Sequence, residues 1–216
     1  MASSSLRRIG WSDPGLWPAV AAVLRADGCV VCPTDTVYGI AANPFSAVAV
    51  QRLQQAKGRG DDFPPPLLVA DAADVADLVD DFPPAAQRLA SRLWPGALTL
   101  ILASSRQDVG LAGLSGTLGL RLPNLDALRG LLRQSGPLAV SSANRHGQPA
   151  PSDVDQAMAQ LGDAVGLYID GGATPGPSPS TVVDCATNPV RVLRPGLIPP
   201  ADILAIAYPT GGPADA

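Results

Sequence analysis

Lys57 is the single lysine among fifteen basic residues, and it stands in the stretch Ala56-Lys57-Gly58-Arg59-Gly60. A guanidinium is a planar fork and an ammonium is a compact point charge, so an arginine-using chain that keeps one lysine there points to a need for an ammonium. Gly58 and Gly60 beside Lys57 and Arg59 let backbone and positive charge approach a polyanion together, as phosphate sites require. The same segment also reads as a helix end whose basic residues complement the macrodipole.

Further polar groups collect where strands should end. Pro33-Thr34-Asp35-Thr36-Val37-Tyr38-Gly39 carries two hydroxyls, a carboxylate and a phenol. It reads equally as a proline turn in which Asp and Thr cap backbone groups. Gly116-Thr117-Leu118-Gly119-Leu120-Arg121 sets a hydroxyl and a guanidinium on one side of a strand, since the strand period is two. Arg121 lies in an apolar strand and needs an anionic partner, which a ligand or a structural carboxylate would supply. In Ser141-Ser142-Ala143-Asn144, the side chains of Ser142 and Asn144 share a side and could hydrogen-bond phosphate or ribose. Ser180 and Arg194 add another hydroxyl and another arginine. His146 is the single histidine, sits in a polar loop and accompanies no Gly-x-Ser-x-Gly elbow, so a solvated side chain is expected there. Lys57, Arg59, Arg121 and Arg194 with these hydroxyls and an amide suit a nucleoside triphosphate and a small carboxylate. They include no obvious nucleophile or general base. Such a site acts by positioning and charge stabilisation, as in phosphoryl or nucleotidyl transfer.

The elements that must hold these groups follow from caps and periodicity. Asp13 and Pro14 predict a helix start, and Gly28 its end. A short strand covers 29–32, and Ser46 caps a helix reaching Lys57. A strand at 67–70 leads to a helix capped by Asp71, and a helix at 85–93 precedes a strand at 97–103 that is apolar on both faces. Strands at 118–122 and 138–141 flank a helix at 125–132. Ser152 with Asp155 resembles a capping box for a helix to Leu161. A strand at 165–169, a Gly/Pro loop at 171–179, paired strands at 181–183 and 190–193 and a short helix at 201–207 complete the chain. The irregular alternation implies an α/β (α+β) fold, a mixed sheet with helices on both faces. One domain over 14–207 is expected, with a flexible lead at 1–13 and a disordered tail at 208–216.

Bulk properties narrow the function classes. The 216 residues are 46% apolar, 16% charged and 4% aromatic, a composition that suits a single aliphatic core. A net charge of −4 argues against coating nucleic acid by charge alone. No apolar run reaches a membrane span and no secretory signal is visible, so the cytoplasm is the expected compartment. Cys29-Val30-Val31-Cys32 has a redox or metal spacing, but residues three apart on a strand face opposite sides. Buried structural cysteines are therefore expected.

The ordered set Pro-Thr-Asp-Thr-Val-Tyr-Gly, Lys-x-Arg, Trp94-Pro95-Gly96, Arg121-Leu122-Pro123, Ser-x-Asn, Ser-Thr-Val-Val-Asp and Arg-Pro-Gly resembles the YrdC-like family of threonylcarbamoyl-AMP synthases. The resemblance runs from about Val20 to Ile203. It implies a twisted mixed sheet around a deep concave cavity. It also implies that L-threonine, bicarbonate and ATP give L-threonylcarbamoyladenylate and pyrophosphate, for threonylcarbamoylation of tRNA adenosine next to the anticodon by downstream tRNA-modifying enzymes. By the same carry-over, Lys57 and Arg59 are catalytic. Lys57, Arg59, Thr117, Ser142, Asn144 and Arg194 bind ATP, while Thr36, Arg121 and Ser180 hold L-threonine. Mg2+ is expected with ATP, and no metal ligand in the chain is identified. Lys57→Ala is expected to cost activity while leaving thermal stability nearly unchanged.

Two places depart from the family pattern. The connection Gly60-Asp61-Asp62-Phe63-Pro64-Pro65-Pro66-Leu67 is longer and more acidic, and Arg145-His146-Gly147 puts a histidine where a small hydroxyl is usual. Two alternatives stand beside the synthase. One is a non-catalytic RNA-binding domain of the same fold, with weak RNA binding in its basic cavity. The other is a sibling nucleotidyltransferase with another carboxylate substrate.

Overall fold

The computed structural model describes residues 7–58, 64–109, 116–176 and 178–209. Its strands are β1 (Arg8–Gly10), β2 (Val30–Pro33), β3 (Tyr38–Ala42), β4 (Leu67–Leu68), β5 (Leu98–Ala103), β6 (Thr117–Arg121), β7 (Leu138–Ser142), β8 (Leu167–Asp170), β9 (Thr181–Asp184) and β10 (Arg191–Arg194). Its α-helices are α1 (Leu16–Arg25), α2 (Ala47–Lys57), α3 (Pro84–Leu93), α4 (Asp126–Ser135), α5 (Val154–Leu161) and α6 (Pro200–Ala207). The strands form one sheet in the order β1-β8-β2-β3-β7-β4-β6-β5-β9-β10. The pairs β1/β8, β2/β8, β4/β6 and β5/β9 are parallel, and the remaining neighbours are antiparallel.

Period-two alternation along the apolar strands places helices on both faces. Val30 and Cys32 of β2 pack with Leu167 and Ile169 of β8 against Val20 of α1 and Leu128 of α4. Val31 and Tyr168, one residue out of phase, pack the other way against Leu53 of α2 and Ala157 of α5. In the other half of the sheet, Leu98, Leu100 and Leu120 meet Leu89 of α3 and Ile203 of α6. Each fully buried leucine contributes roughly 1.5–3 kcal/mol through removal from water. The mixed sheet with helices on both faces is as expected. Among the described residues no helix is long and apolar enough to cross a membrane.

The cysteines are structural. Cys29 and Cys32 are free and buried, and they belong to clusters on opposite faces. Cys185 is buried as well, and burial pushes all three thiols up to about 12.

Several boundaries differ from the sequence expectation for local reasons. α1 begins at Leu16, because the Asp13 Oδ1 accepts the Gly15 N–H at 2.7 Å and stabilises a turn instead of capping a helix. At its other end the left-handed residue is Asp27 (φ 56), and Gly28 closes the motif by donating its N–H to the Val23 carbonyl at 2.9 Å. α5 is capped by Asp153, whose Oδ1 accepts the Gln156 N–H at 2.8 Å, one residue after the expected Ser152. Asp155 instead accepts from the Arg8 guanidinium at 2.8 Å. Residues 8–10, expected within a flexible lead, form β1 on the edge of the sheet, and Arg8 also pairs with Asp170 at 2.7 Å. Tyr208, expected in the tail, packs on the core, and its hydroxyl accepts the Val190 N–H at 2.9 Å. The remaining tail expectation, at 210–216, lies outside the described residues.

Candidate functional site

Lys57 owes its position to both ends of α2. The Ser46 hydroxyl accepts the Ala49 N–H at 3.2 Å and fixes the start. Gly58 fixes the end with φ 63, a left-handed cap that other residues rarely adopt. Lys57 is only 3% exposed. Its Nζ donates to the carbonyl of Asn144 at 2.9 Å, to the carbonyl of Ser142, and to the Ser142 hydroxyl at 3.5 Å. Its own carbonyl accepts the His146 N–H at 2.7 Å. The ammonium thus organises the chain leaving β7. This burial removes the surface position on which the expected stability-neutral truncation of Lys57 rested, because alanine would take a donor from two carbonyls. Asn144 Nδ2 donates to the carbonyls of Arg145 and Gln148 at 2.9 and 2.8 Å, and its buried Oδ1 has no partner among the described residues.

A second group centres on Arg121, at the end of β6 and 6% exposed. The turn after β2 is built around the Thr34 hydroxyl, which accepts the Thr36 and Val37 N–H groups at 3.1 and 3.2 Å and donates to the Val37 carbonyl at 2.7 Å. That turn presents two acceptors to the guanidinium. Arg121 Nη2 donates to Asp35 Oδ1 at 2.6 Å, and Nη1 donates to Thr36 Oγ1 at 3.2 Å. Nε donates to the Gly96 carbonyl at 3.1 Å. Burial pulls the Arg121 pKa below the usual arginine value, while the Asp35 charge and hydrogen bond work against that fall. Asp35 thereby stabilises a cation that apolar surroundings alone would not tolerate.

A third group joins β5, β9 and β10. The Ser180 and Thr99 hydroxyls lie 2.9 Å apart, and Arg194 Nη2 donates to the Ser180 carbonyl and hydroxyl at 2.9 and 3.2 Å. The turn after β10 presses directly on this strand. A Cβ added at Gly196 would lie 2.5 Å from the Pro179 oxygen, the Ser180 carbon and the Thr181 nitrogen, all backbone. Gly196→Ala is therefore expected to lower stability by about 3 kcal/mol through overpacking. Thermal unfolding checks this, and a melting temperature within 2 °C of the parent would contradict it.

The three groups adjoin through the sheet. Gly39 pairs with Ser142 across β3 and β7, and a Cβ at Gly39 would touch the Thr34 methyl at 3.5 Å. Leu100 pairs with Leu120, which makes Thr99 and Arg121 the next cross-strand neighbours. Lys57, Ser142, Asn144, Thr36, Arg121, Ser180 and Arg194 thus lie along one connected path. Thr117 stands at the far end of β6 opposite Ala103, roughly 13 Å along the strand from Arg121. Arg59 lies outside the described residues, as do Asp61 and Asp62. His146 has an exposed side chain, as expected.

Sequence reasoning did not assign Asp35, Thr34 or Thr99 to the site. The demand of Arg121 for an anion was readable, but nothing in the spacing chose Asp35 from nineteen acidic residues.

Comparison with known proteins places this geometry. The Sua5/YciO/YrdC family model, described as "Telomere recombination", matches residues 22–196. A Mycobacterium tuberculosis protein provisionally named threonylcarbamoyl-AMP synthase is 45% identical over 185 residues, 84% of each chain. Threonylcarbamoyl-AMP synthase of Bacillus subtilis is 38% identical over 92% of this chain and 58% of its own length. The crystal structure of Pyrococcus abyssi Sua5 complexed with L-threonine superposes with a TM-score of 0.85 at 32% identity, covering 94% of this chain and 61% of that one. On sequence and fold, this chain belongs to the Sua5/YciO/YrdC family.

Proposed function

We propose that this chain is an L-threonylcarbamoyladenylate synthase. The observation that carries the reading is the buried Arg121 fork beside the Thr36 hydroxyl, continued through Thr99 to Ser180. Asp35, Thr36 and Gly96 take three of the five guanidinium N–H groups, which leaves two for a carboxylate. Relatives named for this activity support it, as does a threonine complex of the Pyrococcus abyssi protein.

In this reading Thr36, Arg121 and Ser180 hold L-threonine. Its amine and bicarbonate give the N-carboxy acid and water. A carboxylate oxygen of that acid then attacks the α-phosphorus of ATP, and pyrophosphate leaves. Lys57, Arg59, Thr117, Ser142, Asn144 and Arg194 form the ATP side, in the concave cavity that the family resemblance implies. Lys57 and Arg59 offset charge on the transferring nucleotide. The unpartnered Asn144 Oδ1 suits a hydroxyl or amino donor of the nucleotide. Magnesium belongs here with the triphosphate, where it offsets phosphate charge when bound. Among the described residues no three His, Cys, Asp or Glu side chains form a cage of their own. Downstream tRNA-modifying enzymes in the cytoplasm would consume the adenylate, and one catalytic domain, with β1 included, would suffice.

The test is pyrophosphate release by purified protein given ATP, magnesium, bicarbonate and L-threonine. Threonine-dependent release is expected, and none above a threonine-free control would end the proposal. Equal release with L-serine would point to a sibling with a different amino-acid substrate. Salt-dependent RNA binding without nucleotide affinity would favour the RNA-binding alternative.

A further inference from the structure

Arg121 does not wait for its ligand as a bare cation. It is already paired with Asp35 at 2.6 Å, and the two side chains are 7% and 11% exposed. The pair is neutral overall. A simple carboxylate arriving at Arg121 would bring one net negative charge to a largely buried pair, where an uncompensated charge is costly. A zwitterion brings none.

Asp35 has a second oxygen for this purpose. Oδ1 takes the Arg121 hydrogen bond, and no described residue donates to Oδ2. Among the described residues Asn144 Oδ1 is the one sealed side-chain atom without a partner, so Asp35 Oδ2 is not sealed. It therefore keeps contact with solvent on a side chain otherwise packed away. Thr36 is bound to the same guanidinium, so Asp35 and the proposed threonine contacts belong to one cluster.

Resting on the synthase reading, we propose that Asp35 recognises the α-ammonium of the amino-acid substrate, so that the Arg121–Asp35 pair selects a zwitterion over a carboxylic acid of the same shape. The carboxylate meets the two remaining Arg121 N–H groups and the ammonium meets Asp35 Oδ2.

Calorimetric binding of L-threonine and of 2,3-dihydroxybutyrate, its skeleton with hydroxyl in place of ammonium, tests the pair. The full chain is expected to bind threonine at least about thirtyfold more tightly. Asp35→Asn keeps an oxygen for Arg121 and removes the charge. It is expected to lose about thirtyfold in threonine affinity and to hold or gain affinity for the hydroxy acid. Discrimination below threefold in the unaltered protein overturns the proposal without any variant, as does an equal loss of both ligands in a folded Asp35→Asn. If the unaltered protein releases threonine-dependent pyrophosphate yet fails these comparisons, the Asp35 inference falls and the synthase reading stands. If it neither binds threonine nor releases pyrophosphate, both fall.

Discussion

Arg121→Ala is expected to reduce kcat/KM for L-threonine by at least about thirtyfold and to lower the melting temperature in the same preparation. Two separate losses produce these effects. Removing one member of a buried, hydrogen-bonded charge pair at a binding surface costs about 2–5 kcal/mol, and each 1.4 kcal/mol is tenfold. Folding suffers because Asp35, 11% exposed at its side chain, is left without the cation that compensates it. Breaking such a pair from one side costs about 3–5 kcal/mol. The Thr36 hydroxyl and the Gly96 carbonyl lose a donor as well. A double variant, Arg121→Ala with Asp35→Ala, separates the two losses. Without an isolated carboxylate, most of the lost melting temperature should return, while activity stays down. Arg121→Lys should keep the fold and still fall at least tenfold in kcat/KM, since an ammonium cannot reach Asp35, Thr36 and a ligand carboxylate together. Steady-state pyrophosphate release and thermal melts read all three variants. Near-parent kcat/KM in Arg121→Ala would remove Arg121 from the binding site and leave it a purely structural cation.

Much of this arrangement was legible in the sequence wherever one residue type admits few environments. An arginine in the apolar run of β6 had to meet an anion, and it does. Ser46 was readable as the cap of α2, and the valines of β2 required the two thiols of Cys29 and Cys32 to diverge. What escaped depends on contacts between distant segments. β3 is buried at all five positions, so it shows neither period two nor a polar face, and it follows a turn whose polar residues draw the eye to chemistry. β1 is three residues long and is held by β8 and by Arg8 reaching Asp155 and Asp170, none of which is local. The choice of Asp35 for Arg121 depends on the Thr34-centred turn, where one hydroxyl gathers two backbone N–H groups. Spacing along the chain carries none of that information. The burial of Lys57 escaped for a related reason. Sequence placed it correctly at a helix end, but its partners are the carbonyls of Ser142, the last residue of β7, and of Asn144, 85 and 87 residues away.

That burial sets the terms for the other large effect. Lys57→Met retains most of the aliphatic stem and removes the ammonium. If the proposed transition-state role is right, kcat should fall by about 10²–10³-fold, the loss typical of removing one fixed electrostatic donor. The fold should weaken too, because the Ser142 and Asn144 carbonyls lose a shared donor at about 1–3 kcal/mol for each buried group left unsatisfied. For a chain of this size 1 kcal/mol corresponds to roughly 2–4 °C, so a fall of at least about 4 °C is expected. Activity must therefore be measured well below the lowered transition and expressed per folded molecule. Lys57→Arg adds a sharper contrast. It restores positive charge but forces a planar fork into a space shaped for a compact ammonium beside two converging carbonyls, so partial stability and little activity should return. ATP affinity distinguishes the sources of the loss. A kcat decrease with ATP affinity held within about threefold places the ammonium at the transferring phosphate. A matching decrease in ATP affinity with kcat preserved would assign Lys57 to shaping the Ser142–Asn144 turn alone, as a positioning residue for the nucleotide.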